Sequence, residues 1–289
     1  MRFALFLLLP ALLSFSAISS FAAEPPIHGL WVWKTADVLA KPGSGEALRD
    51  FATANGINEI YVSVSSRDRL APDSPVVALI GLLHRSHIRV EALLDSIDSD
   101  KAGEPREAFL AKARAIVQFN ETQPPETRFD GIHLDIEPHQ RPENKGPGNL
   151  QFLAGLVETF RGVRDIAAPA HLIVNADIPN KVLKGDPAQR QALLISVDRL
   201  TLMLYELTSP EKPGSEEAKA AQLQRAAERY LTMTYDSLND AHLASMVIAL
   251  RTADYQSHLP AMLQSLDTNQ SAKPHYLGWA WHAYNDGLK

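Results

Sequence analysis

Ten residues, Phe129-Asp130-Gly131-Ile132-His133-Leu134-Asp135-Ile136-Glu137-Pro138, alternate aliphatic with ionisable side chains. A β-strand turns successive side chains to opposite faces, so Ile132, Leu134 and Ile136 share one face and His133, Asp135 and Glu137 the other. The aliphatic face calls for a covering layer of helices. The ionisable face then points into an enclosed interior, where such groups cost several kcal/mol unless they are paired or used.

Seven further short runs rich in β-branched and aromatic residues lie on either side: Gly29–Lys34, Glu59–Ser65, Arg89–Asp95, His171–Asp177, Arg199–Tyr205, Ala244–Leu250 and Tyr276–His282. The stretches between them have helical period, among them Gly45–Asn55, Pro105–Phe119, Leu150–Ile166, Glu216–Tyr235 and Gln256–Leu266. Such alternation demands parallel strands joined by helical crossovers. Eight units predict a single (β/α)8 TIM barrel of the α/β class over residues 24–289. The competing open, doubly wound sheet usually carries a Gly-rich phosphate loop after its first strand, and none is present. Seven residues follow His282, so the eighth helix is expected to be short or absent.

The opening residues read as an address. Arg2 precedes the apolar run Phe3–Leu13, and small residues lead to Ala22-Ala23 before Glu24-Pro25-Pro26. This order is that of a cleaved signal peptide over residues 1–23, giving a periplasmic or secreted protein. The apolar run is shorter than the roughly 20 residues a membrane span requires. The remainder of the chain after this leader is close to the about 250 residues of one barrel. The chain carries 28 basic and 34 acidic residues with no Lys/Arg block, so neither nucleic acid nor an anionic membrane is an expected partner. It has no cysteine, which excludes disulfides, thiolate chemistry and a lipoprotein anchor.

In such barrels the active site lies at the carboxyl ends of the strands, where Glu137 falls. A glycosidase needs a carboxylic acid still protonated near neutral pH to deliver a proton to the departing oxygen. Partial burial and the like charge of Asp135 would both raise the pKa of Glu137. Asp135 is too close along the same strand to oppose Glu137 across a substrate, which favours a substrate that supplies its own nucleophile. The Pro/Gly-rich stretch His139–Asn149 reads as a loop beside this site. Trp31 and Trp33 on the first strand and Trp279 and Trp281 on the eighth offer flat faces for sugars, or core packing. Asn175 and Asp177 share a face at the end of the fifth strand, where they line the site or cap a turn. Arg251 and Asp254 read as a loop ion pair. No glutamate ends the seventh strand, against the barrels that place a nucleophile there.

Asp130-Gly131-Ile132-His133-Leu134-Asp135-Ile136-Glu137 resembles the DGxDxDxE signature of the family 18 glycoside hydrolases, the chitinase-like superfamily. Met203-Leu204-Tyr205-Glu206 looks like that family's M-x-Y-D, and Trp281 resembles its tryptophan beneath the bound sugar. The resemblance implies retaining, substrate-assisted hydrolysis of N-acetylhexosamine linkages, without a cofactor. Glu137 would protonate the leaving oxygen, Asp135 orient the acetamido group and Tyr205 donate a hydrogen bond to it. Trp281, Trp33, His133, Asp177, Met203 and Glu206 would bind substrate. This sequence departs from the pattern at His133, where the family has an Asp that partners the next one; a histidine there would hold Asp135 ionised. Glu206 replaces an Asp. The short chain leaves little room for an inserted domain, so a shallow cleft and a divergent member are expected.

Two other readings compete. One is a carbohydrate-binding barrel without turnover. The other is a metal-dependent hydrolase built on the alternation of His133, Asp135, Glu137 and His139, with His28, His282 and Asp177 supplying further ligands. One strand cannot easily wrap four ligands round one ion.

Overall fold

The computed structural model describes residues 25–64, 70–71, 73–146, 148–205, 215–236, 238, 242–251 and 259–284. The expected leader, residues 1–23, lies outside them. Eight parallel strands succeed one another round a closed barrel: β1 (Ile27–Val32), β2 (Glu59–Ser63), β3 (Arg89–Ser96), β4 (Gly131–Ile136), β5 (Ile173–Pro179), β6 (Arg199–Met203), β7 (Ser245–Arg251) and β8 (Tyr276–His282). β8 closes on β1 through the pairs Ile27↔Gly278 to Leu30↔Trp281.

The helices are α1 (Thr35–Leu39), α2 (Ser44–Ala54), α3 (Pro75–His84), α4 (Glu104–Thr122), α5 (Leu153–Ala167), α6 (Pro187–Leu194), α7 (Glu216–Tyr235) and α8 (Leu259–Gln270). Their number reaches eight because the first crossover carries both α1 and α2. Among the described residues none comes after β8. α3 and α6 start on local signals: Ser74 caps Val76 N with Pro75 at the first position, and Asp186 with Gln189 forms a capping box. No described helix is long and apolar enough to cross a membrane.

Two apolar layers hold the barrel. Outward strand residues such as Val62, Leu94, Ile132, Leu134 and Ile136 pack with helix residues including Leu48, Ile80, Phe109 and Phe160 in the larger cluster. Each fully buried side chain of this kind contributes roughly 1.5–3 kcal/mol. The smaller cluster fills the bore with Trp31, Tyr61, Leu93, Val247, Ala249 and Ala280. Gly131 leaves space there: a Cβ would meet the Ile173 carbonyl oxygen at 2.7 Å and Glu91 Oε1 at 3.2 Å. The bore can therefore hold the Glu91 carboxylate.

Candidate active site

The fourth strand delivers its polar side chains at successive depths. Asp130 sits at the amino end, where its carboxylate accepts from Val90 N at 2.7 Å and contacts His84 Nε2 at 3.0 Å. It ties β4 to β3 and α3, far from the mouth. His133 lies in mid-barrel, fully buried. Its Nδ1 is 3.0 Å from Glu91 Oε2 on β3, and its Nε2 is 2.9 Å from Asp177 Oδ1 on β5. Its ring stacks on Tyr61 at 3.8 Å and meets Trp31 edge-on. Burial disfavours the imidazolium, but Asp177 and Glu91 outweigh it and hold the pKa at about 10. His133 is thus a buried cation between two carboxylates.

This geometry corrects two expectations. His133 does not bond Asp135, and with both nitrogens and its ring occupied inside the barrel it has no nitrogen left to offer at the mouth. Asp135 is consequently not held ionised. Burial first, then the charges of Asp177 and Glu137, raise its pKa well above the ordinary aspartate value. Its Oδ1 is buried without a hydrogen-bond partner among the described residues.

Glu137 comes directly after the last residue of β4 and is half-buried at the mouth, its amide bonded to Ser96 O at 2.8 Å. Burial, and then the charge of Asp177, raise its pKa against the pull of a bond from Gln140. Asp177 on β5 adds a like charge that the sequence did not suggest, beside the mutual repulsion of Glu137 and Asp135. His139 Nε2 lies 3.5 Å from Glu137 Oε1. Burial and Lys181 hold its pKa down at about 4, so this is a neutral imidazole beside a carboxyl group and not an ion pair.

Within the His139–Asn149 stretch the described residues around Arg141 are anchored. Arg141 grips Asp100 with two bonds of 2.6 and 2.7 Å and the Ile97 carbonyl at 2.9 Å, tying this segment to the end of β3. That clasp fixes Gln140 and His139 against Glu137.

The remaining rim comes from other strands. Tyr205, just beyond β6, is half-buried, and burial followed by Asp177, Asp135 and Glu137 pushes its phenol well above the usual range. Trp33 is also half-buried and donates Nε1–H to His282 Nε2 at 2.7 Å. Alternation places Met203 on the inner face of β6, buried. Asp177 is buried, with Oδ2 accepting from Trp31 Nε1 at 3.1 Å. Glu206 and Asp254 lie outside the described residues.

Trp281 is the third correction. It pairs with Leu30 and Leu250, points outward, and packs on Phe51 of α2 and on Trp279. The face of β8 that enters the bore carries Gly278, Ala280 and His282, and His282 also approaches the Tyr205 ring at 5.0 Å. The proposed metal ligands do not converge either. His28 sits at the amino end bound to Gly56 and Asp267, and the described residues hold no group of three or more metal-ligating side chains.

Glu91 and His282 are site residues that the strand patterns alone underrate. Glu91 carries the same signal as His133, an ionisable residue interrupting an apolar strand (Arg89-Val90-Glu91-Ala92-Leu93), but its partner lies 42 residues away.

No family model matches the chain, and no curated protein matches it in sequence. Solved structures share its architecture. A chitinase from Chromobacterium violaceum superposes with a TM-score of 0.54 at 13% identity, covering 90% of this chain and 94% of that one. The PgaB (BpsB) glycoside hydrolase domain from Bordetella bronchiseptica gives 0.53 at 13%, covering 89% and 94%. The exo-β-1,4-mannosidase Op5Man5 from an Opitutaceae bacterium gives 0.58 at 13%, over 89% of this chain and 52% of that enzyme. At these identities the likeness establishes the barrel fold.

Proposed function

We propose that this protein is an exported glycoside hydrolase that cleaves N-acetylhexosamine-containing glycans by a retaining, substrate-assisted mechanism, with Glu137 as its general acid. The observation that carries the reading is the position of Glu137: it stands half-buried at the carboxyl end of β4, with burial and Asp177 favouring its protonated form. The order of residues 1–23 supports export. The names of the structural neighbours, a chitinase, a glycoside hydrolase domain and a mannosidase, support a glycan substrate.

Protonated Glu137 delivers its proton to the glycosidic oxygen as the bond to the anomeric carbon breaks. The neighbouring acetamido oxygen attacks that carbon from the opposite face, giving a cyclic intermediate with net retention after water opens it. Glu137, now a carboxylate, takes a proton from that water. Asp135 Oδ1, which has no partner among the described residues, is the acceptor left for the acetamido N–H. The Tyr205 hydroxyl, kept protonated by burial and then by the surrounding carboxylates, donates to the acetamido oxygen.

The test compares the mature protein and Glu137→Gln on fluorogenic N-acetylglucosamine oligomers, with and without a chelator. Release by the parent alone, unaffected by chelator, is expected, with the variant slower by about 10²–10⁴-fold. Sugar binding without release from the parent would overturn turnover in favour of a carbohydrate-binding barrel. Neither binding nor release would overturn the N-acetylhexosamine assignment.

A further inference from the structure

A line of buried polar groups runs along the bore beneath the mouth. At its base Arg199 Nη1 lies 3.0 Å from Glu59 Oε2 and 3.7 Å from Glu91 Oε1. Glu91 Oε2 meets His133 Nδ1 at 3.0 Å, with Asn175 Nδ2 at 3.4 Å and Thr201 in turn bonded to Asn175 Oδ1 at 3.0 Å. His133 Nε2 meets Asp177 Oδ1 at 2.9 Å, and Trp31 Nε1 takes the other oxygen of Asp177. Every member from Glu91 to Asp177 is buried.

We propose that Glu91 and His133 are positioning residues, which together fix Asp177 as an anion of set orientation beneath Asp135 and Glu137. Neither touches substrate. Each end of the imidazolium is spent on a carboxylate, so the ring cannot turn without leaving a buried charge unpaired. Trp31 then leaves Asp177 no freedom to rotate toward the mouth. A fixed anion there does two things for the acid chemistry proposed above. It opposes ionisation of Glu137 and Asp135, and it stabilises the positive charge that develops at the anomeric carbon. Asp135, Glu137 and Tyr205 agree: after burial, Asp177 is the foremost charge that raises each of them. The other titratable groups around Asp177, Asp135, Glu137 and Tyr205 are Tyr61, Asp95, His139, Arg251 and His282. Lys181 adds a cation beside His139. None of these bonds a nitrogen of His133.

The functional consequence rests on the glycosidase reading, but the arrangement itself is testable without turnover. The first measurement is the ¹⁵N spectrum of His133 in the parent at pH 8, where both ring nitrogens are expected to be protonated; a neutral imidazole overturns the proposal. The second is the ¹³C titration of the Glu137 carboxyl group in the parent, Glu91→Gln, Asp177→Asn and the double variant. Gln at 91 keeps an acceptor for His133 Nδ1–H and removes the charge. The midpoint of Glu137 is expected to fall by about one pH unit in Asp177→Asn and by less in Glu91→Gln. In the double variant His133 has no carboxylate left and sheds its proton, so Glu91→Gln adds nothing further there.

If the parent hydrolyses glycan, the basic limb of kcat moves to lower pH in the same order. A purely structural Glu91 would lower stability and leave the Glu137 midpoint where it is, and that result overturns the inference. Should Glu91→Gln fail to fold, an unmoved midpoint in Asp177→Asn overturns it equally. A parent that titrates as expected and hydrolyses nothing would sink the glycosidase reading alone.

Discussion

The two ends of the bore hold similar numbers of acidic side chains and pair them differently, and the difference is sharpest between Glu91 at one end and Asp135 at the other. At the amino end Glu59 and Glu91 face Arg89 and Arg199, with Glu59 3.5 Å from the first and 3.0 Å from the second. Glu91 lies below the ordinary range because His133 and the arginines outweigh its burial. At the mouth Asp135, Glu137 and Asp177 stand together over His133, a cation already shared with Glu91, while Arg251 acts on the Tyr205 phenol. Pairing turns buried charge into structure. Withholding it from Asp135 and Glu137 leaves carboxyl groups whose pKa is raised, which is what an acid catalyst requires.

The widest way to probe this contrast is to titrate the cation that joins the two ends. The folded pKa of His133 is about 10, above the unfolded histidine value of 6.5. The folded state therefore binds the proton more tightly. Its contribution to stability is complete below pH 6.5 and is lost as pH rises toward 10, at up to about 1.4 kcal/mol per unit. Glu59, raised to about 7 chiefly by burial and Glu91, loses its own contribution lower down, between about 4.5 and 7, so the two windows overlap only between about 6.5 and 7. Urea midpoints at pH 6.5, 8 and 9.5 should fall steeply in the parent and much less in His133→Gln. Parallel slopes would mean that His133 is neutral in the fold.

Next in size is the arginine at the base. Arg199→Met keeps the aliphatic bulk and strands Glu59 and Glu91 without their shared cation. A loss of about 3–5 kcal/mol in equilibrium unfolding is expected, the cost of leaving buried charge unpaired. A loss below about 1 kcal/mol would show that the amino end does not depend on pairing, and the contrast between the ends would fail.

The mouth should answer with the opposite sign. Asp135→Asn removes a carboxyl group that folding forces to take up a proton. Because its folded pKa is raised, parent stability declines as pH climbs above the ordinary aspartate range, and the variant escapes that decline. The variant is expected to be more stable by about 1–3 kcal/mol at pH 7, with no advantage at pH 3, while losing hydrolysis. Equal stability at both pH values would place an ionised, well-compensated Asp135 at the mouth.

How much of this contrast is legible in the sequence depends on the range of the interaction. Alternation in Gly131–Glu137 is local, and it places His133, Asp135 and Glu137 on the inner face and Glu137 at the mouth. The eight strands lie within two residues of where β-branched and aromatic runs predict them. The partners of His133 are 42 and 44 residues away in sequence, on strands whose own patterns say nothing of depth. A one-residue change in register would have given His133 other neighbours, so a periodic pattern can assign a face without assigning a bond.

β8 shows the complementary failure. Period two groups Trp279 with Trp281 and Gly278 with Ala280 and His282, but both sets are uncharged enough to be buried on either side. The bore already holds Trp31 and Tyr61, and space decides the matter: the small residues turn inward and the tryptophans outward. The smallest expected effect tests this assignment. Trp281→Phe keeps an aromatic ring against Phe51 and loses part of the packing. It should cost about 1–2 kcal/mol in stability, a fraction of the roughly 3–5 kcal/mol for truncating a buried tryptophan to alanine. Its kcat/KM should match the parent's. Trp33→Phe makes the fair control, since that ring stands on the rim and bonds His282. There KM should rise several-fold, with stability changed by under about 1 kcal/mol. If instead Trp281→Phe raises KM and Trp33→Phe does not, the sugar rests on the outer ring of β8, and the division between a packed outer face and a working bore is wrong.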